Sequence, residues 1–198
     1  QVSCENNVAV LLDGQITGAT GATWSGGTGV FNPSSSSLNA TYIPSPAEIS
    51  NGSLTLTLTT VGNGLCSAVS DQMNITINPS PIVDAGSDLQ ACANNPGFIL
   101  NGSVQFASGG VWSGGSGTFS PSNTSLNAIY TPTATEISSG SIVLTLTSTG
   151  NGTCNAVSDQ LTVNFTDAPV VNAGSDDIYC SNNACRAYYY VFIIMLKL

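Results

Sequence analysis

Carboxylates and cysteines are the side chains of this 198-residue chain whose types and spacing could do chemistry. The carboxylates recur at fixed places. Asp71-Gln72 returns as Asp159-Gln160 and Asp88 returns as Asp176, each 88 positions on, whereas Asp84 is answered by Asn172. Carboxylates gathered where two domains meet can hold Ca²⁺ through about six to eight oxygens and stiffen a tandem array. Asp71, Asp84, Asp88, Asp159 and Asp176 are therefore the candidate calcium ligands, and no other cofactor is indicated. Turn capping is the competing role, because Asp readily bonds its own backbone.

The cysteines share that period. Cys4 and Cys66 are 62 positions apart, and so are Cys92 and Cys154. Six cysteines with period-locked spacing point to disulfides and an oxidising compartment. A metal site is the alternative, but the chain has no histidine and no close cysteine pair recurs in the repeats. The expectation is one bridge per repeat, Cys4–Cys66 and Cys92–Cys154, each stabilising by about 4 kcal/mol in the chain-entropy account of loop closure.

Catalysis lacks its parts. The positive residues Arg186 and Lys197 both lie near the C-terminal end, so residues 1–185 hold no Lys, Arg or His. A serine there has no ordinary base, and paired carboxylates for glycoside hydrolysis need a cleft that flat sandwiches rarely offer. The chain reads as no enzyme. With a net charge of −9, it also lacks the cationic contacts on which nucleic-acid affinity rests, and an anionic membrane surface is disfavoured for the same reason.

The elements that would position these residues come in two copies. Trp24-Ser25-Gly26-Gly27-Thr28-Gly29-Val30-Phe31 returns as Trp112-Ser113-Gly114-Gly115-Ser116-Gly117-Thr118-Phe119. Read without a gap, 4–88 and 92–176 agree at 45 of 85 positions, which decides for tandem repeats. A large indole beside glycines that let the backbone turn sharply makes Trp24 and Trp112 the expected core anchors. Leu54, Leu56 and Leu58 alternate with Thr55, Thr57 and Thr59, the pattern of a half-buried strand. Shorter runs around 8–12, 22–25, 30–31, 38–43 and 73–77 are closed by Gly, Asn and Pro. Pro46–Ser50 has room for one helical turn. Six or seven strands per repeat, without helical periodicity, predict an all-β chain of tandem antiparallel β-sandwiches. The domains are expected at 1–79 (lacking its first strand), 80–167 and a partial third repeat at 168–198. Short proline-bearing joints at 79–81 and 167–169 favour a stiff line of beads.

The order Pro-x-x-x-Ala-Gly-x-Asp, Cys, Trp-Ser-Gly-Gly-x-Gly-x-Phe, Leu-Asn-Ala-x-Tyr-x-Pro, Gly-Asn-Gly-x-Cys-x-Ala-Val-Ser-Asp-Gln resembles the PKD-like, immunoglobulin-like repeats of very long Bacteroidota surface proteins. Among these are gliding-motility-associated adhesins exported by the type IX system. The resemblance covers 1–183 and implies an extracellular, repetitive, non-enzymatic stalk or adhesin. Two features depart from relatives of that fold. Trp-Ser-Gly-Gly stands where ordinary PKD domains carry Trp-Asp-Phe-Gly-Asp-Gly. Gly64 stands where antibody-type domains place a tyrosine two residues before the second cysteine, which moves the expected bridge from the centre of the sandwich to an end.

The functional expectation is a structural or adhesive fibre repeat at the cell surface, with neighbouring repeats or further copies as partners. The alternative is a module that binds surface glycan or protein through loops such as Ser34–Ser37 and Ser120–Ser125. The first repeat has no counterpart of Pro81–Gln90, while Pro169–Tyr179 repeats that segment. Ends that complement one another suit head-to-tail strand donation, because an open sheet edge accepts a strand. A window from a longer continuous polypeptide gives the same ends. No leader precedes Gln1, so an exported chain is expected to be a mature product or an internal fragment. The apolar stretch Tyr188–Leu196 is too short to span a bilayer unaided.

Overall fold

The computed structural model of the chain describes residues 1–176, 179–181 and 184–186; the apolar stretch 188–196 lies outside the described residues. Gln1–Thr166 forms one compact unit and Asp167–Leu198 a second. The first unit contains two hydrophobic cores, one from each copy of the repeat.

In chain order the first bead comprises β1 (Val2–Cys4), β2 (Val10–Leu11), β3 (Gly21–Ser25), β4 (Val30–Asn32), β5 (Thr41–Ile43), α1 (Pro46–Asn51), β6 (Ser53–Val61) and β7 (Ser70–Asn78). The second comprises β8 (Ile82–Asp84), β9 (Leu89–Cys92), β10 (Phe98–Ile99), β11 (Ser103–Gln105), β12 (Gly109–Ser113), β13 (Thr118–Ser120), β14 (Ile129–Thr131), α2 (Ala134–Ser139), β15 (Ser141–Thr149) and β16 (Ser158–Thr166). In the other unit β17 (Tyr179–Ser181) pairs antiparallel with β18 (Ala184–Arg186). Among the described residues no helix is long and apolar enough to cross a membrane.

Each bead sets a four-stranded sheet (β1-β7-β6-β3, β9-β16-β15-β12) beside a three-stranded one (β2-β5-β4, β10-β14-β13). The long β6/β7 and β15/β16 hairpins show why. Alternate residues of β15, namely Ile142, Leu144 and Leu146, are buried, as period-2 alternation requires of a sheet with one face on the core. Trp112 and Tyr130 are fully buried, as is Tyr42, and Trp24 nearly so. The indole N–H of each tryptophan donates to a backbone carbonyl, Trp24 to Leu38 and Trp112 to Leu126, both at 3.2 Å. A buried indole thus keeps its one polar group satisfied.

The sandwiches are not wholly antiparallel. β1 runs parallel to β7, and β9 parallel to β16, at the sheet edge. That edge corrects the expected cysteine pairing. Cys4 lies opposite Asn78, where β7 ends, whereas Cys66 sits in the turn before β7 begins. The nine residues of β7 separate those levels by about 26 Å at ~3.3 Å per residue, and a bridge needs Cα atoms within about 7 Å. A Cys4–Cys66 bond is geometrically excluded. β16 and β9 impose the same separation on Cys92 and Cys154. Instead Cys4 of the first bead is bonded to Cys154 of the second, with Cα atoms 5.0 Å apart, and Cys66 keeps an exposed free thiol.

Candidate interaction surfaces: the bead joint and an open sheet edge

The joint is built by the turn after β1 and the tip of the β15/β16 hairpin. Asn6 and Asn155 exchange three hydrogen bonds. The Asn6 Nδ2 donates to the Asn155 carbonyl (3.0 Å), the Asn155 amide donates to Asn6 Oδ1 (2.9 Å), and the Asn155 Nδ2 donates to the Asn6 carbonyl (2.8 Å). Asn7 Nδ2 adds a bond to the Thr153 carbonyl at 3.2 Å. Glu5 Oε2 accepts from the Ser80 amide at 3.1 Å, fixing the linker between the proline residues 79 and 81. These bonds hold the beads in register around the Cys4–Cys154 bridge.

The same hairpin tip in the first bead is bare. Leu65 is 107% exposed, Val69 is 68% exposed, and Cys66 stands between them. Ser67 occupies the position of Asn155, and Leu65 that of Thr153.

The candidate calcium ligands are dispersed, and among the described residues no group of three His, Cys, Asp or Glu side chains could hold a metal. Most serve backbone amides. Asp84 Oδ1 accepts from Gly86 N, Asp88 Oδ1 from Thr162 N and Asp159 Oδ2 from Ala85 N, each at 2.8 Å. Among the described residues Asp71 accepts only from its neighbour Gln72, at 2.9 Å, and Asp176 is exposed.

The difference between Asp159 and Asp71 marks the second surface. In the second bead the segment carrying β8 covers the core: β8 pairs antiparallel with β11, Ala85 is fully buried, and Val83 and Leu89 pack on the cluster. Beneath it Leu146 is 0% and Leu161 1% exposed. In the first bead the residues matching β11, 15–17, form no strand. Two clefts of about 470 and 390 Å³ lie there, sharing Gln15, Leu58 and Asp71 in their walls. Leu58 and Met73, the counterparts of Leu146 and Leu161, are only half-buried.

A third constellation escaped the sequence reading. Glu48 and Glu136 are buried carboxylates, 9% and 8% exposed. Each closes a capping box: Ser45 or Thr133 caps the helix, and the glutamate at the third helical position returns to the cap amide. Each also accepts from the tyrosine hydroxyl, Tyr42 or Tyr130 (2.9 and 2.7 Å), and from the Gly-rich turn at Thr28 N or Ser116 N (2.8 and 2.6 Å). Burial pushes Glu136 up, but amide donors from Thr133 and Ser116 together with the hydroxyl bonds outweigh it and bring its pKa down to about 2. Glu48 is lowered by the same balance. Burial, then the neighbouring carboxylate, pushes Tyr42 and Tyr130 up to about 12. The repeated signal was Ser45-x-x-Glu48 and Thr133-x-x-Glu136. Each glutamate accepts from two backbone amides and a tyrosine hydroxyl, so it ties the helix cap to the Gly-rich turn and the core tyrosine.

Fold and surfaces together define an all-β chain of tandem sandwiches tied across their joint. No protein-family model matches the sequence, and no curated protein matches it. Similar solved structures include extracellular cadherin domains 3–6 of protocadherin gamma B2 (13% identity, 85% of this chain and 45% of that one, TM-score 0.37). The insect immune protein hemolin is similar at 9% identity over 84% and 44% of the two chains, TM-score 0.41. Drosophila N-cadherin EC1-4 is similar at 12% identity over 83% and 47%, TM-score 0.39. The chain spans less than half the length of these three. At such identities the likeness says nothing of ligand or partner.

Proposed function

We propose that this chain is a structural and adhesive repeat of an extracellular fibre, a non-catalytic spacer whose partners are neighbouring repeats or further copies of itself. The observation that carries the reading is the bond from Cys4 to Cys154, which fastens one bead to the next. Such a bridge opposes separation of the beads along their row and persists in an oxidising exterior. The buried Glu–Tyr pairs support the same reading, because the titratable groups with shifted acidity are consumed in helix caps. The motif resemblance adds a setting: a Bacteroidota surface protein exported by the type IX system. The fibre grows head to tail by strand donation. Recognition of glycan through the serine-rich loops is less well supported, because the nearby aromatic rings turn inward: Phe31 packs on Tyr42 and Phe119 on Tyr130, both with centroids 4.7 Å apart.

Negative-stain microscopy of native material tests the reading. Long thin filaments are expected, and isolated short rods at every concentration would overturn it.

A further inference from the structure

We infer that the open edge of the first bead is an acceptor groove for residues 169–176 of a second copy, an inference that rests on the fibre reading and supplies its contact in atomic detail. The chain carries its own template for the complex. In the second bead Pro81–Asp88 (Pro-Ile-Val-Asp-Ala-Gly-Ser-Asp) lies over the core, and residues 169–176 read Pro-Val-Val-Asn-Ala-Gly-Ser-Asp, identical at six of eight positions. The turn is already formed in the second segment: Asn172 Oδ1 accepts from Gly174 N at 2.8 Å, as Asp84 Oδ1 does from Gly86 N. Gly174 has φ 84° and Gly86 φ 87°. A turn that already has the docked shape lowers the cost of ordering on binding. Its apolar residues are uncovered, with Val170 and Val171 both 93% exposed.

The groove is complementary by the same template. Antiparallel pairing of β8 with β11 places Asp84 opposite Ser103, Val83 opposite Val104 and Ile82 opposite Gln105. Carried over by the repeat, Asn172 faces Gln15, Val171 faces Ile16 and Val170 faces Thr17. Val171 then enters the cleft beside Leu58, as Val83 packs on its core. Ala173 N donates to Asp71 as Ala85 N donates to Asp159 Oδ2. Ala173 fits because its counterpart Ala85 is fully buried in the core cluster. Backbone pairing supplies affinity and the Ala-Gly turn supplies register, the division of labour in strand addition. The contact joins unlike surfaces, so it propagates unless the rotation closes a ring.

The experiment uses the full chain with Ala173→Trp, a change on an exposed segment that blocks entry and leaves both cores untouched. Wild-type material is expected to form filaments and A173W to remain as single chains by sedimentation velocity. A fluorescent peptide of residues 168–176 is expected to bind A173W one to one by anisotropy, and Asp71→Ala in that background to weaken it at least tenfold. A173W filaments as long as wild type, or a peptide that does not bind, would overturn the inference and with it growth by strand donation, while leaving intact the reading of the chain as a non-catalytic fibre repeat. Wild-type chains that never assemble would overturn both.

Discussion

A carboxylate that is nearly buried must be given donors or a proton, and Glu136 is given donors. Two backbone amides, a tyrosine hydroxyl and the Thr133 hydroxyl converge on it. Glu136→Gln keeps the shape but turns an amide NH₂ toward N–H groups that need an acceptor. The expected loss is about 2 kcal/mol in denaturant unfolding, the usual scale for a hydrogen-bonded charge, and Glu48→Gln should follow it. Gly115 shows how little slack the site has: its φ is +70°, and an added Cβ would meet the Tyr130 hydroxyl and the Glu136 carboxylate. The pH dependence follows from the directions. Glu136, lowered to about 2, contributes stability that is present above the unfolded carboxylate value of about 4.5 and lost as pH falls toward 2. Tyr130, raised to about 12, contributes stability that is present below 10 and lost as pH rises toward 12. Melting temperature against pH should therefore show a plateau between these limits, with E136Q flattening the acid limb. The aspartates behave differently. Asp84, Asp88 and Asp159 cap amides, so calorimetric titration with Ca²⁺ and chelation with EDTA are expected to leave heat and melting temperature unchanged; a binding isotherm would restore the calcium reading.

Between elements, the two copies of one hairpin provide an internal control. Leu146 is fully buried beneath β8, whereas its counterpart Leu58 borders the open cleft. Leu146→Ala should cost about 3 kcal/mol, because a closed core cannot collapse around the void, and Leu58→Ala nearer 1 kcal/mol, since that side chain is already half in water. Equal losses in chemical denaturation would mean that the cleft is closed in solution. This hairpin was also the most legible element in the sequence. Strict Leu/Thr alternation in β6 fixes which face is buried, and the threonine face bonds across the pair, Thr55 to Asn74 (2.7 Å) and Thr59 to Ser70 (2.8 Å). The runs at 8–12 and 38–43 extend beyond β2 and β5, because apolar sequence continues into extended backbone: Leu12 N donates to the Ala40 carbonyl outside any strand. The parallel placement of β1 left no local mark, since alternation reports a face and never a direction. The helical turn expected at Pro46–Ser50 is α1, and its counterpart α2 shares the capping signal Ser45-x-x-Glu48 and Thr133-x-x-Glu136, four residues that six-residue helices cannot reinforce with periodicity.

At the scale of the whole molecule the cysteine spacing is ambiguous in a way only three dimensions remove. A separation of 62 within each repeat and one of 150 across two repeats come from the same four positions. What decides is that β1 carries Cys4 to the far end of its sheet, where the following bead presents its hairpin tip. The bridge therefore stabilises an arrangement of beads as well as a fold. Reduction should leave both cores standing while loosening the joint, with a loss of up to about 5 kcal/mol in the chain-entropy account of so long a loop. Native peptide mapping without reductant is expected to yield Cys4 and Cys154 on one cross-linked species, and recovery of Cys4–Cys66 would refute the crossing bridge. Cys66 extends the logic outward. It occupies the tip that Cys154 occupies one bead later, flanked by exposed Leu65 and Val69. In a row of beads that tip lies within a joint. Iodoacetamide should label Cys66 rapidly in dispersed chains and slowly in filaments, and equal labelling in both states would mean that successive copies do not repeat the joint seen between the two beads.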